Sequence, residues 1–232
     1  MIEYDQINSL SLFGLTRQEA IIYITLISNS YITGYEISKL TSISKSNTYS
    51  ALTNLVSKGA AYIATEEATK YTAVSLEEFC QNRIRRMEEA KKELISNVTI
   101  IDNGAEGYIT ISGKQNVYNK IYNMITGAKH RIYLSVSTEL LMLYLSELQN
   151  LIEKNIKVVI ITDKQIAIAG ATIYYTEDID HKIRIIVDSV EVLSGLLEKN
   201  CLYSKNENLI SIFKDMLTNE IEINKIKENK GL

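Results

Sequence analysis

The chain has no proline and no tryptophan, and only two cysteines and two histidines among its 232 residues. Each shortage excludes something. Cys80 and Cys201 stand far apart, in no metal or redox spacing, which rules out a disulfide framework and a thiol redox motif. With no cluster of Cys and His, a structural zinc site is not expected, and no cofactor-binding motif stands elsewhere in the chain. No apolar run nears the roughly 20 residues that cross a bilayer. The opening MIEYDQINSL lacks the basic start and apolar centre of a signal peptide. The expectation is a cytoplasmic protein with reduced thiols and no membrane partner. A net charge of −3 excludes a basic, nonspecific nucleic-acid coat, so any site for DNA must be a local patch. Without proline, the turns must rest on Gly, Asn, Asp and Ser.

What is present is a strong core composition, 46% apolar, and one stretch with an unusual charge distribution. From Ile37 to Thr65 there is neither Asp nor Glu, while Lys39, Lys45 and Lys58 are present. In a chain with more acids than bases, such a window suits a surface that must approach phosphate. Within it, Thr33 and Glu36 form a capping box that opens a helix over Gly34–Leu40, with Ile37 and Leu40 as its apolar face. Thr41-Ser42-Ile43 makes a turn with Ile43 as a buried plug, and Ser44 caps a second helix over Lys45–Ser57. Thr48, Leu52, Leu55 and Val56 form its inner stripe; Lys45, Ser46, Asn47, Ser50 and Asn54 form its outer one. Hydroxyls and amides read base edges in a major groove, and lysine finds phosphate. The plain alternative is a helical hairpin with a solvated Ser/Asn face.

Ahead of this pair, Ile2–Leu12 reads as an amphipathic helix stopped at Gly14. Thr16 and Glu19 cap another over Arg17–Asn29, with Ala20, Ile21, Tyr23, Ile24 and Ile27 inward. After Gly59, two β-prone runs, Ala61–Ala64 and Lys70–Val74, make a hairpin whose tip carries Glu66 and Glu67, poor chemistry for phosphate. Lys70 and Tyr71 at its base are better placed. Ser75 and Glu78 then open a long helix to Val98 in which Cys80, Ile84, Met87, Lys91, Leu94, Val98 and Ile101 fall in a heptad seam. That seam either pairs two chains, chiefly through Ile84, Met87, Leu94 and Val98, or packs on its own domain. Arg83, Arg85 and Arg86 form a solvated face. Asp102–Gly107 is the linker candidate.

Beyond it the pattern alternates. Strands are expected at Tyr108–Ser112, Arg131–Val136, Lys157–Thr162, Ala171–Tyr175, Ile183–Val187 and Val190–Leu197. Helices are expected at Lys114–Thr126 (Val117, Ile121, Met124 and Ile125 inward), Thr138–Glu153 and Asn206–Asn224. This is an α/β domain with a mixed sheet. His130, in the basic trio Lys129–Arg131, reads as a surface turn.

The first ninety residues resemble the TrmB family of transcriptional regulators. The matching residues are LFGLTRQEAIIYITLI (Leu12–Ile27), GYEISKLTSISKSNTYSALTNLVSKG (Gly34–Gly59) and KYTAV (Lys70–Val74). Lys45, Ser46, Tyr49, Leu52, Leu55, Lys58 and Gly59 fit the family's recognition-helix string in place. The second half resembles the phospholipase-D-like domain that many TrmB relatives carry. The resemblance implies a two-domain α+β and α/β chain: a winged helix-turn-helix over 1–75, a connecting coiled-coil helix over 76–101, and a non-catalytic phospholipase-D-like domain over 107–232. It implies a homodimer that represses or activates operons; with the residue reading above, the contacts to double-stranded DNA are expected from Lys39, Lys45, Ser46, Asn47, Tyr49, Ser50, Asn54 and Lys70. Two departures stand out: Lys45 where the family often has arginine, and an acidic wing tip. The phospholipase motif H-x-K-x4-D keeps its ends as His181 and Asp188, but Ile183 replaces the lysine that would neutralise a transferring phosphate. Some relatives carry a further sugar-binding domain, for which this chain leaves no room; the α/β half then binds a small effector of unknown identity or extends the dimer. Two competing readings are a dimeric phosphodiesterase using His181 and a winged module that binds protein.

Overall fold

The computed structural model describes residues 4–65, 68–99, 107–176, 179 and 182–230. The chain divides into two compact units, 1–100 and 101–232. In the first, α1 (Tyr4–Leu12) and α2 (Arg17–Ser28) lead to a short strand β1 (Ile32–Thr33), then α3 (Gly34–Thr41) and α4 (Lys45–Ser57). The hairpin β2 (Ala61–Thr65) and β3 (Thr69–Ala73) follows, then α5 (Leu76–Asn97). The capping boxes at Thr16–Glu19 and Thr33–Glu36 are both closed, side chain to backbone in each direction. Gly14 takes the left-handed conformation, φ +87°, that ends α1. Leu26, Ile37, Leu52, Leu55 and Phe79 are fully buried together with Tyr23, whose hydroxyl donates to the Val74 carbonyl at 2.9 Å.

Several expectations shift here. In α2 the inward residues are Glu19, Ala20, Ile22, Tyr23 and Leu26; Ile21 and Ile24 sit at the rim and Ile27 is exposed. Glu19 and Tyr23 each bond a partner from a distant segment, and those bonds set the rotation of the helix. Leu40 is 60% exposed, because α3 turns Gly34, Ile37 and Ser38 inward instead. Ile43 is half-buried against the core rather than enclosed. The unforeseen β1 pairs with β3, Ile32 opposite Tyr71, to give a three-stranded sheet in the order β1-β3-β2. Two residues are too few to show a period. The wing tip Glu66–Glu67, Ile101 of the heptad and the linker positions 102–106 lie outside the described residues.

The second unit runs β4 (Tyr108–Ser112), α6 (Lys114–Gly127), β5 (Arg131–Ser135), α7 (Thr138–Met142), α8 (Leu145–Glu153), β6 (Lys157–Thr162) and β7 (Thr172–Tyr175). It continues β8 (Lys182–Val187), β9 (Glu191–Leu196), β10 (Asn200–Ser204) and α9 (Glu207–Lys230). The seven-stranded sheet has the order β4-β10-β9-β8-β5-β6-β7, parallel through β5, β6 and β7 and antiparallel elsewhere. This is the expected mixed sheet. One face, with Ile132, Leu134, Ile183, Ile185 and Leu193, is covered by α6 and α8. The other, with Tyr133, Ile161, Ile186 and Val192, is covered by α9. Val117, Ile121, Met124 and Ile125 are the buried face of α6, as their spacing requires. The expected single helix over Thr138–Glu153 is two, broken at Tyr144, whose side chain is buried and donates from its hydroxyl to the Tyr118 carbonyl at 3.0 Å. Strand β10 was not foreseen; it joins β9 to β4.

Candidate nucleic-acid interface

Helix α4 starts at Ser44, whose hydroxyl accepts from the Asn47 amide, and ends at Gly59 in the left-handed region. Thr48, Ala51, Leu52 and Leu55 bury its inner side. Ser46, Asn47, Tyr49, Ser50 and Asn54 are exposed on the rest. The turn before it closes through Ser42 at φ +56°, a left-handed position that glycine or asparagine fills more readily. The stripe expected to meet bases is therefore open and carried on a helix with a cap at one end and a left-handed stop at the other.

The cations beside it are held by an aromatic ring, Tyr35, that residue spacing on α4 does not bring in. Lys39 Nζ lies 4.6 Å and Lys45 Nζ 4.5 Å from the centroid of the Tyr35 ring. One ring thus gathers the last turn of α3 and the first turn of α4 into a single cationic spot. The Tyr35–Lys39 spacing of four along a helix was the signal that could have found it. Tyr49 is half-exposed and packs its ring over Gly34, where a β-carbon would come within 2.6 Å of it. The close approach of α3 and α4 depends on that glycine.

Two other lysines lie near carboxylates of the first unit. Lys58, counted among the cations of the acid-free window, points inward. Its ammonium donates to Glu19 Oε2 at 2.6 Å and to the Gly14 carbonyl at 2.9 Å. Glu19 is only 2% exposed. Burial pushes its carboxyl up, but the Lys58 hydrogen bond, the Thr16 N–H and the Lys58 charge outweigh this and hold it below the ordinary value. A smaller contribution from the Asn54 side chain acts in the same direction. Lys70 is half-buried opposite Thr33, and its charge helps lower the Glu36 carboxyl after the hydrogen bonds from Thr33. Arg83, expected on a solvated face, donates from Nε to the Phe13 carbonyl at 2.8 Å and braces α5 against the α1–α2 turn.

On α5, Phe79 is the buried residue, and from Ile84 through Thr99 every residue is exposed. Ile84, Met87, Leu94 and Val98 thus form an apolar line with no cover from their own unit. In the second unit, two of the three phospholipase-type positions lie among the described residues. His181 lies outside the described residues. Ile183 is fully buried in the sheet core. Asp188 sits at φ +51° with its carboxylate accepting from the backbone N–H groups of Lys129, His130 and Arg131, each at 2.8 Å. Burial raises the Asp188 carboxyl, and the three N–H groups with the nearby His130 more than reverse it. Asp188 therefore clamps the turn that leads into β5. No single helix among the described residues is long and apolar enough to cross a membrane.

Comparison with known proteins gives two family matches. The family described as "Sugar-specific transcriptional regulator TrmB" matches residues 10–77. The N-terminal subdomain of the TrmB regulator's EBD matches residues 107–211. The protein YrhO of Bacillus subtilis (strain 168) is 26% identical, over 79% of this chain and 71% of its own length. The HTH-type sugar sensing transcriptional regulator TrmBL1 of Pyrococcus furiosus is 28% identical over 69% of this chain and 48% of its own; the chain spans about half of that relative. Among solved structures, TrmBL2, described as an archaeal chromatin protein with a novel mode of DNA binding, aligns over 93% of this chain and 96% of its own. Its TM-score is 0.44 at 20% identity. The phospholipase D family member Nuc of Salmonella typhimurium aligns over 48% of this chain and 93% of its own, TM-score 0.38 at 15% identity.

Proposed function

The chain belongs to the TrmB family of transcriptional regulators, and on that premise we propose that it acts as a homodimer reading a specific operator through α4. One observation carries the reading: an uncharged, hydrogen-bonding stripe on α4 lies open beside two lysines gathered on one ring, in a window without acids. Ser46, Asn47 and Ser50 choose bases; Lys39 and Lys45 supply sequence-independent affinity. Tyr49 positions α3 against α4. The exposed line Ile84, Met87, Leu94 and Val98 joins two copies along α5, so that paired recognition helices meet successive major grooves about one helical turn apart. The second unit receives a small effector. The family is one of regulators rather than enzymes, and Ile183 in the core leaves no cation where phospholipase chemistry needs one.

The test is selection of bound genomic fragments with the purified protein, followed by two variants on the best site. Asn47→Ala lowers affinity for that site by about 1–3 kcal/mol and relaxes sequence preference. Lys45→Ala weakens all sequences alike and reduces the salt slope by about one. Equal specificity ratios for Asn47→Ala and the unaltered protein refute the assignment.

A further inference from the structure

Three helices of the first unit each turn one stripe toward a common hollow. On α1, Asp5, Gln6, Ser9 and Leu10 fall at helical spacing, and Phe13 follows at the turn. From α2 come Ile24 and Ile27, and from the first turns of α5 come Leu76 and Cys80. Together they line a cavity of about 510 Å³. That volume suits a small molecule with a sizeable apolar body.

The wall is apolar and firmly backed. Leu10 is buried, and Phe13, Ile24 and Cys80 are half-buried. The Phe13 ring lies 6.5 Å from that of Phe79, which is itself 5.3 Å from the ring of Tyr23. Burial pushes the Cys80 thiol up, so at neutral pH it is an uncharged part of the wall. Ile27 and Leu76 complete the lining yet stay 45% and 51% exposed, which explains why the inward side expected for α2 is only partly covered. Charge at the cavity has one sign. Among the described lining residues only Asp5 is charged, and Gln6 and Ser9 beside it are neutral. Glu77 and Glu78 flank Leu76 in the first turn of α5. Arg83, further along α5, is not part of the lining and donates to the Phe13 carbonyl.

We propose that this cavity binds an amphipathic organic cation, its aromatic or branched body against Phe13, Ile24, Ile27 and Leu76 and its positive centre toward the Asp5 carboxylate. Burial of the apolar body supplies most of the affinity. The carboxylate supplies the choice of charge: an anion of the same shape meets Asp5 and no lining cation among the described residues. Asp5 is exposed, so that choice is modest in size and weakens with salt. The site belongs to the winged unit alone, and its occupancy is measured without DNA and without any ligand of the second unit.

The experiment is titration calorimetry of the full chain with tetraphenylphosphonium and, separately, with tetraphenylborate, two ions of one shape and opposite charge. The cation binds, and about fivefold more tightly than the anion at low salt. Asp5→Asn brings the two within a factor of about two, because only the charge at the rim has been removed. Ile27→Trp fills the cavity from an exposed position and weakens the cation by about tenfold or more. Both altered residues are exposed, so both variants keep the helical circular dichroism of the unaltered protein, and a loss of binding is not a loss of fold. No binding of the cation, equal or tighter binding of the anion, a charge preference that survives Asp5→Asn, or binding untouched by Ile27→Trp overturns the proposal.

Discussion

Replacing Lys58 by methionine separates two roles that its position in the sequence leaves merged. As a phosphate contact, Lys58 would contribute to DNA affinity and nothing to folding. In the structure its ammonium meets a carboxylate that is 2% exposed, and the lysine side chain is itself only 28% exposed. Breaking a buried pair by removing one partner leaves an uncompensated charge and is destabilising by about 3–5 kcal/mol. The lower end applies, since the Thr16 N–H stays bonded to Glu19 at 2.8 Å and methionine retains the aliphatic stem. We expect Lys58→Met to lose about 3 kcal/mol at neutral pH in urea unfolding followed by helical circular dichroism. The folded variant keeps its DNA affinity. Adding Glu19→Gln recovers much of the loss, because the two changes share one interaction. The pH dependence has a definite sign. Glu19 titrates below its ordinary 4.5 when folded, so its contribution is whole above that value and lost as pH falls through the folded pKa. The gap between the unaltered protein and Lys58→Met therefore narrows in acid. Unchanged stability of Lys58→Met with reduced DNA affinity would refute this reasoning and return Lys58 to the interface.

Other outcomes follow from the same geometry. Leu94→Glu with Met87→Lys places charges in the exposed α5 line; sedimentation shifts the protein toward monomer while each unit keeps its circular dichroism, and an unchanged mass excludes α5 as the seam. Tyr35→Leu removes the ring beneath Lys39 and Lys45 and lowers affinity for every duplex by a factor of about five, with base preference retained. A loss confined to one sequence would contradict that. Asp188→Ala strips three backbone N–H groups of their acceptor and leaves alanine at a positive φ; the second unit loses about 3 kcal/mol, measured as the midpoint of its unfolding.

Much of this was legible in the order of residues because the deciding interactions are local. Both capping boxes, the Ser44 cap, the stops at Gly14 and Gly59, and the buried face of α6 depend on residues within one or two turns of each other. The elements that escaped notice were β1, with two residues, and β10, whose short run gains its identity from neighbours on either side. The break at Tyr144 is likewise imposed from elsewhere, by the carbonyl of Tyr118. On α4, the outer stripe could be assigned from spacing alone, yet the environment of Lys58 at the helix end could not.

Taken alone, the sequence determined most of the helices and strands, the two-part organisation and the open polar stripe of α4, since periodicity and caps act over a few residues. The tertiary structure decided what each charged or polar group meets. Glu19 is 39 positions from Lys58, Asp188 is 57 to 59 from the amides it holds, and Arg184 is 36 from Glu220. A hydrogen bond is satisfied or orphaned by distance in space, over about 3 Å, and sequence separation carries no record of it.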